Sequence, residues 1–155
     1  MNAQEKFLRI TQFDKLNLLS KDSKPDWGIM TSQHMVEHLS SLFLFTIEKV
    51  KGVRFFNDEK LKKNYNYLIR DRNPFHKNVK LPGLEDLPEL RFDSLEAAII
   101  VLEKYVEAFY AFFEDDKTKK TMHPAMGMLN FQEWEWNHYA HSRHHLFQFA
   151  LIDAI

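Results

Sequence analysis

Apolar side chains recur at helical spacing along most of this chain. Residues 3–19 set Phe7, Leu8, Ile10, Phe13, Leu16 and Leu19 among charged positions, which predicts a first, partly covering helix. Lys21 to Gly28 contains Asp22, Ser23, Pro25 and Gly28, all turn residues. Thr31 or Ser32 can then cap a helix running to about Val50, with Gly52 marking its end. Residues 53–93 are the least regular part. Asn57 to Arg70 suits a short helix, and Pro74, Pro82, Gly83 and Pro88 break the rest into an extended crossover. Asp93 or Ser94 caps the strongest pattern, in which Leu95, Ala98, Ile99, Leu102, Val106, Phe109 and Phe113 recur at three and four, with an end expected near Glu114 to Asp116. A loop with His123-Pro124 and Gly127 leads to Asn130, and Glu133 three residues on completes a capping box for a last helix over about 131–153. The sum is an all-α chain of four main helices with one long crossover, the arrangement of a four-helix bundle.

Composition narrows this further. A chain of 155 residues suits a single domain, 1–155, with one core, and only four Gly and five Pro favour helix over a turn-rich β architecture. A formal charge of −1 supplies no positive field to recruit phosphate backbones or acidic membranes, so nucleic acid is not an expected partner. Glu114-Asp115-Asp116 followed by the basic run to Lys120 reads as a solvated helix end. The first ten residues carry Glu5, Lys6 and Arg9 and no apolar signal core, and Leu39 to Ile47 is closed by Glu48 and Lys49 before it could span a bilayer. A soluble cytoplasmic protein is the expectation. With no cysteine in the chain, any metal must sit on His, Asp or Glu.

Four of the eight histidines fall within His138-Tyr139-Ala140-His141-Ser142-Arg143-His144-His145. His141 and His145, four apart, stand one turn above the other on a helix and can share one ion; His34 and His38 repeat the spacing about a hundred residues earlier. On a helical wheel Trp134, His141, His145, Gln148 and Ile152 form one stripe, while Trp136, Tyr139, Leu146, Phe147 and Ala150 lie opposite, so the last helix offers a second apolar face suited to a partner subunit. His38 lies on an inward face with Leu42 and Phe45. Buried histidines that merely donate to a carbonyl would show the same pattern. His34, His138 and His144 flank their stripes and are read as facing a helix boundary or solvent. Glu37 points sideways, which suits a solvated or interface group, and Gln148 is a candidate outer hydrogen-bond partner for a metal-bound imidazole.

Three stretches carry a resemblance. They are Trp27-Gly28-Ile29-Met30 followed by Gln33-His34-Met35-Val36-Glu37-His38-Leu39; the loop His123-Pro124-Ala125-Met126-Gly127; and Glu133-Trp134 leading into His141-Ser142-Arg143-His144-His145-Leu146-Phe147-Gln148-Phe149. In this order they resemble the DinB/YfiT-like superfamily of metal-dependent four-helix-bundle proteins. The resemblance implies a divalent ion, zinc or nickel, held by one histidine of an early helix and two at four-residue spacing on the last: His38, His141 and His145. His34, a turn before His38, departs from the pattern and is left as an outer donor, a proton shuttle or a bystander.

Three neutral imidazoles leave a coordination position open, which favours a catalytic or ligand-binding ion over a closed structural one. The expectation is a metal-dependent hydrolase or a thiol or group transferase acting on a small-molecule substrate, with a homodimer implied by the resemblance. The alternative is a non-enzymatic helical bundle whose ion is structural or whose faces bind a partner.

Overall fold

The computed structural model describes residues 1–81 and 85–153. Pro82 and Gly83, two of the residues expected to break the crossover, lie outside the described residues. The chain is mostly helical, with one small two-stranded sheet. It opens with α1 (Ala3–Lys6), a π-helical turn (Phe7–Thr11) and α2 (Gln12–Leu16), which succeed one another without a break. Asn2 starts this segment by accepting the Glu5 N–H, and Leu8, Phe13 and Leu16 turn inward while Ile10 stays exposed.

A loop leads to α3 (Ser32–Thr46), where Thr31 rather than Ser32 is the cap, its hydroxyl accepting the His34 N–H. This helix stops earlier than expected. Ile47 closes it and Glu48 takes the left-handed conformation at φ 57°, whereas Gly52, expected to mark the end, lies four residues further on in the loop. Asn57 caps α4 (Asp58–Tyr65), which continues into a second π turn (Asn66–Arg70). The described part of 71–93 has no regular element. Ser94, not Asp93, then caps α5 (Leu95–Phe112).

Between α5 and the last helix the expected loop is instead a hairpin of β1 (Thr121–His123) and β2 (Gly127–Leu129). Thr121 pairs with Leu129, Met122 with Met128 and His123 with Gly127. The turn is closed by the Met126 N–H donating to the His123 carbonyl, and Gly127, the first residue of β2, takes φ +86°, a conformation that glycine adopts without strain.

Asn130 and Glu133 form the expected capping box for α6 (Phe131–Gln148). The helix ends five residues short of 153. The Leu151 N–H bonds the Leu146 carbonyl and the Ala150 N–H bonds that of Phe147, with Ala150 left-handed at φ 55°. An L-residue in that conformation carries a strain of roughly 1–2 kcal/mol that glycine lacks. Ala150→Gly is therefore expected to raise stability by about 0.5–1 kcal/mol after the greater flexibility of glycine in the unfolded chain is offset. Chemical denaturation that shows a loss for this variant would contradict the assigned helix end.

The helix faces meet in one apolar cluster around Leu8, Leu16, Met35, Leu39, Phe43, Leu102, Val106, Phe109, Trp134 and Leu146. The most extensive contact between helices is α3 against α5, and α6 packs on α3 and on the N-terminal helical segment. The second apolar face of α6 is partly covered from within the chain, with Trp136, Tyr139 and Phe147 half-buried and Ala150 exposed. Tyr139 meets Phe7, Trp136 lies under the Arg72 guanidinium and donates to the Leu68 carbonyl, and Phe147 meets Trp27. No helix among the described residues is long and apolar enough to cross a membrane.

Candidate metal centre

His38 on α3 and His141 and His145 on α6 converge. The Nε2 atoms of His38 and His141 are 2.9 Å apart, those of His145 and His141 3.1 Å, and all three donor atoms lie within 4.8 Å of one another. The rings stand edge-to-face around this point, with interplanar angles of 74–80°. The four-residue spacing on α6 supplies two rings, and packing of α3 on α6 supplies the third.

The hydrogen-bond pattern fixes which nitrogens face inward. The Gln148 Nε2 donates to the Trp27 carbonyl at 2.9 Å, and a carbonyl only accepts, so the amide oxygen is the atom 2.7 Å from His145 Nδ1. His145 Nδ1 must carry the proton, and a neutral His145 then presents a bare Nε2 lone pair to the cluster. Neutral His38 and His141 can share at most one N–H between their facing nitrogens, so one inward lone pair is left without a hydrogen. A cation at the point of convergence satisfies all three. Imidazole donors about 2.0–2.1 Å from a zinc-like ion are about 2.9 Å apart at right angles and about 3.4 Å apart tetrahedrally, and the two spacings to His141 Nε2 fit this range.

Burial keeps the rings neutral. It pushes His38 down to about 4, with the neighbouring His144 adding to the effect, and it holds His141 and His145 well below the usual histidine range, where the other rings of the cluster act in the same direction. At neutral pH the protein thus offers unprotonated nitrogen donors, the form that metal binding requires.

Gln148 stands where the sequence reading put it, against a candidate ligand. Its other neighbour explains Gly28. That residue takes φ +82°, and a Cβ there would lie 3.0 Å from Gln148 Nε2, so the turn and the close approach both exclude a side chain. His34 does not join the cluster: its Nε2 lies 3.0 Å from the Pro88 carbonyl and its Nδ1 2.6 Å from the Thr31 hydroxyl, at the helix boundary where it was expected.

Other expectations fail. His138 is 2% exposed, stacked on Phe43 with ring centroids 3.7 Å apart and bonded through Nε2 to Thr46 Oγ1 at 2.9 Å. It belongs to the core, because the inward arc of α6 is wider than the ligand stripe. His144 is also buried, with Trp27 edge-on at 5.7 Å and Phe75 tilted over it at 5.7 Å. Glu37 is neither solvated nor free: it is 5% exposed, and Oε1 accepts the N–H groups of Arg91 and Phe92 at 2.6 and 3.0 Å. It ties the end of the crossover to α3.

The sequence reading missed Phe75, whose ring tilts over His141 at a centroid distance of 5.5 Å and covers the cluster from the crossover. A single aromatic in an irregular segment carries no periodicity, so no local signal announced it. Trp27 was visible only as part of a motif; its carbonyl orients Gln148, and its ring carries the Lys77 ammonium at 4.2 Å. Compared with protein-family models, curated proteins and solved structures, the chain finds no match.

Proposed function

We propose that His38, His141 and His145 hold one divalent cation, zinc or nickel, and that the protein is a metal-dependent hydrolase or thiol or group transferase acting on a small molecule. The observation that carries this is the convergence of three Nε2 atoms, two pairs of them 2.9 and 3.1 Å apart. The packing of α6 on α3 and on the N-terminal helical segment, with α5 against α3, supports reading the architecture as a four-helix bundle of the DinB/YfiT-like kind that the sequence motifs resemble. A homodimer is part of the same reading.

An ion held by three neutral imidazoles supplies Lewis acidity and activates water or a thiol at neutral pH. The chain's own groups define the setting. Gln148 holds His145 in the tautomer that directs Nε2 inward, and Trp27 holds Gln148. Phe75 and the buried rings of the cluster limit access of water. Among the described residues these histidines form the only group of three or more His, Asp or Glu side chains that meet as potential ligands, so no carboxylate or fourth histidine closes the set.

The test is turnover of an activated ester and of an electrophilic arene with a small thiol, measured against zinc or nickel occupancy. Rates that rise with occupancy and vanish in His145→Ala support the reading, whereas rates independent of metal sink it. A second reading, a structural ion in a non-enzymatic protein, draws on the burial of His141 and His145 and on two surface clefts that lie elsewhere, one beside Val50 and Met128 and one beside Arg9 and Glu135. Full metal occupancy without any turnover would favour it.

A further inference from the structure

Asn137 is 1% exposed, and neither its amide nitrogen nor its amide oxygen has a hydrogen-bond partner in the protein. Buried polar atoms are almost always paired, with protein or with ordered water, so an amide orphaned at both ends calls for a specific explanation. Its position supplies one. Asn137 lies one turn before His141 on α6, within about 40° of it around the helix axis, and helical side chains lean toward the N-terminus, which carries the His141 ring over the turn of Asn137.

His141 has the complementary need. Its Nε2 faces both His38 and His145, while its Nδ1 makes no hydrogen bond to protein among the described residues. The two nitrogens of an imidazole point nearly opposite ways, so Nδ1 faces away from the cluster. His145, its neighbour, has Gln148 on Nδ1. Histidines that bind metal almost always donate the second ring N–H to an acceptor that fixes tautomer and ring orientation.

We propose that Asn137 is the positioning residue for His141: through an internal water its amide oxygen receives the His141 Nδ1–H, holding Nε2 unprotonated toward His38 and His145. A direct bond is excluded, since both amide atoms lack a protein partner, and ordered water is the usual partner of buried polar groups left in this way. Gln12 Oε1, also buried without a partner on the helix packed against α6, is a second polar atom available to internal water. This inference deepens the metal reading and rests on it for its effect on affinity, though not for its effect on the tautomer.

The experiment compares the wild type with Asn137→Leu and Asn137→Asp, using zinc alone as the probe. Nitrogen-15 NMR of the histidine rings reads the His141 tautomer at neutral pH without metal, and competition with a chelator reads zinc affinity. The wild type and Asn137→Asp are expected to show His141 protonated at Nδ1, and Asn137→Leu a mixture of tautomers. Zinc affinity is expected to fall about 10- to 100-fold in Asn137→Leu and to be retained in Asn137→Asp. Disturbed packing around the new side chain alone would lower the stability of the metal-free protein and leave the tautomer untouched, and that result overturns the proposal. So does an unchanged tautomer with unchanged affinity. A tautomer change in a protein that binds no zinc would uphold the role of Asn137 and refute the metal reading alone.

Discussion

Acidification of the metal-free protein from about pH 6.5 to about pH 4.5 is expected to lower its stability by several kcal/mol, above the range where carboxylate protonation alone acts. Burial lowers His38 to about 4 and His123 to about 3, and holds His138, His141 and His145 well below the usual histidine range. An unfolded chain takes up a proton at each of these rings below about pH 6.5, whereas the folded chain does not until its own lower value is reached. Above pH 6.5 both states are neutral and nothing is lost. As pH falls, the unfolded state binds more protons, and stability falls with it until the folded values are passed. For His38 the full loss, complete below pH 4, is about 3 kcal/mol. At pH 5 His38 and His123 each contribute a loss of about 2 kcal/mol, and His138, His141 and His145 act in the same direction, which together is a substantial share of the stability of a domain this size. Circular dichroism against pH checks this. A thermal midpoint that is unchanged between about pH 7 and about pH 4.5 would show that these rings are not held neutral.

Zinc is expected to raise the thermal midpoint of the wild type by about 10 °C and to leave that of His141→Ala unchanged. A ligand at 100 to 1,000 times its dissociation constant stabilises the folded state by about 3–4 kcal/mol, and in a chain of this length each kcal/mol shifts the midpoint by about 2–4 °C. His141 is chosen because its Nε2 is the shared neighbour of the other two, so truncation leaves His38 and His145 without the central donor. Without metal, the substitution removes a buried polar ring and leaves a cavity, two effects of opposite sign. The zinc-dependent increment is therefore the informative quantity. Scanning calorimetry with and without zinc on both proteins measures it, and an equal increment in the variant would exclude His141 as a ligand.

Much of the helical framework was legible because helix starts are written locally. Thr31, Ser94 and the Asn130–Glu133 box all act within three residues of where they stand. Helix ends were less so. Glu48 and Ala150 take left-handed conformations for which neither residue type is a signal, and Gly52, which carries the usual signal, sits in the following loop. The hairpin escaped because its strands are three residues each, too short for alternation to stand out. The two π turns leave no pattern distinct from α-helix.

At the site, spacing placed His141 and His145 on one face, whereas the arc the wheel turned inward with His38, Leu42 and Phe45 is only half-buried and the core arc of α3 carries Val36, Leu39 and Phe43. That the three meet is a property of helix packing, which no single helix encodes. The same limit explains His138, His144 and Glu37. Each was assigned from its angle on its own helix, but Phe43, Trp27 and the Arg91–Phe92 backbone, brought from elsewhere in the chain, decide their surroundings.

X-ray absorption at the metal edge of the zinc- or nickel-loaded protein tests the central claim most directly. The account predicts one ion per chain, bound by three imidazole nitrogens at about 2.0–2.1 Å with at least one further light-atom ligand that does not come from the protein. A shell with fewer than three imidazoles, or no stoichiometric ion at all, would contradict it.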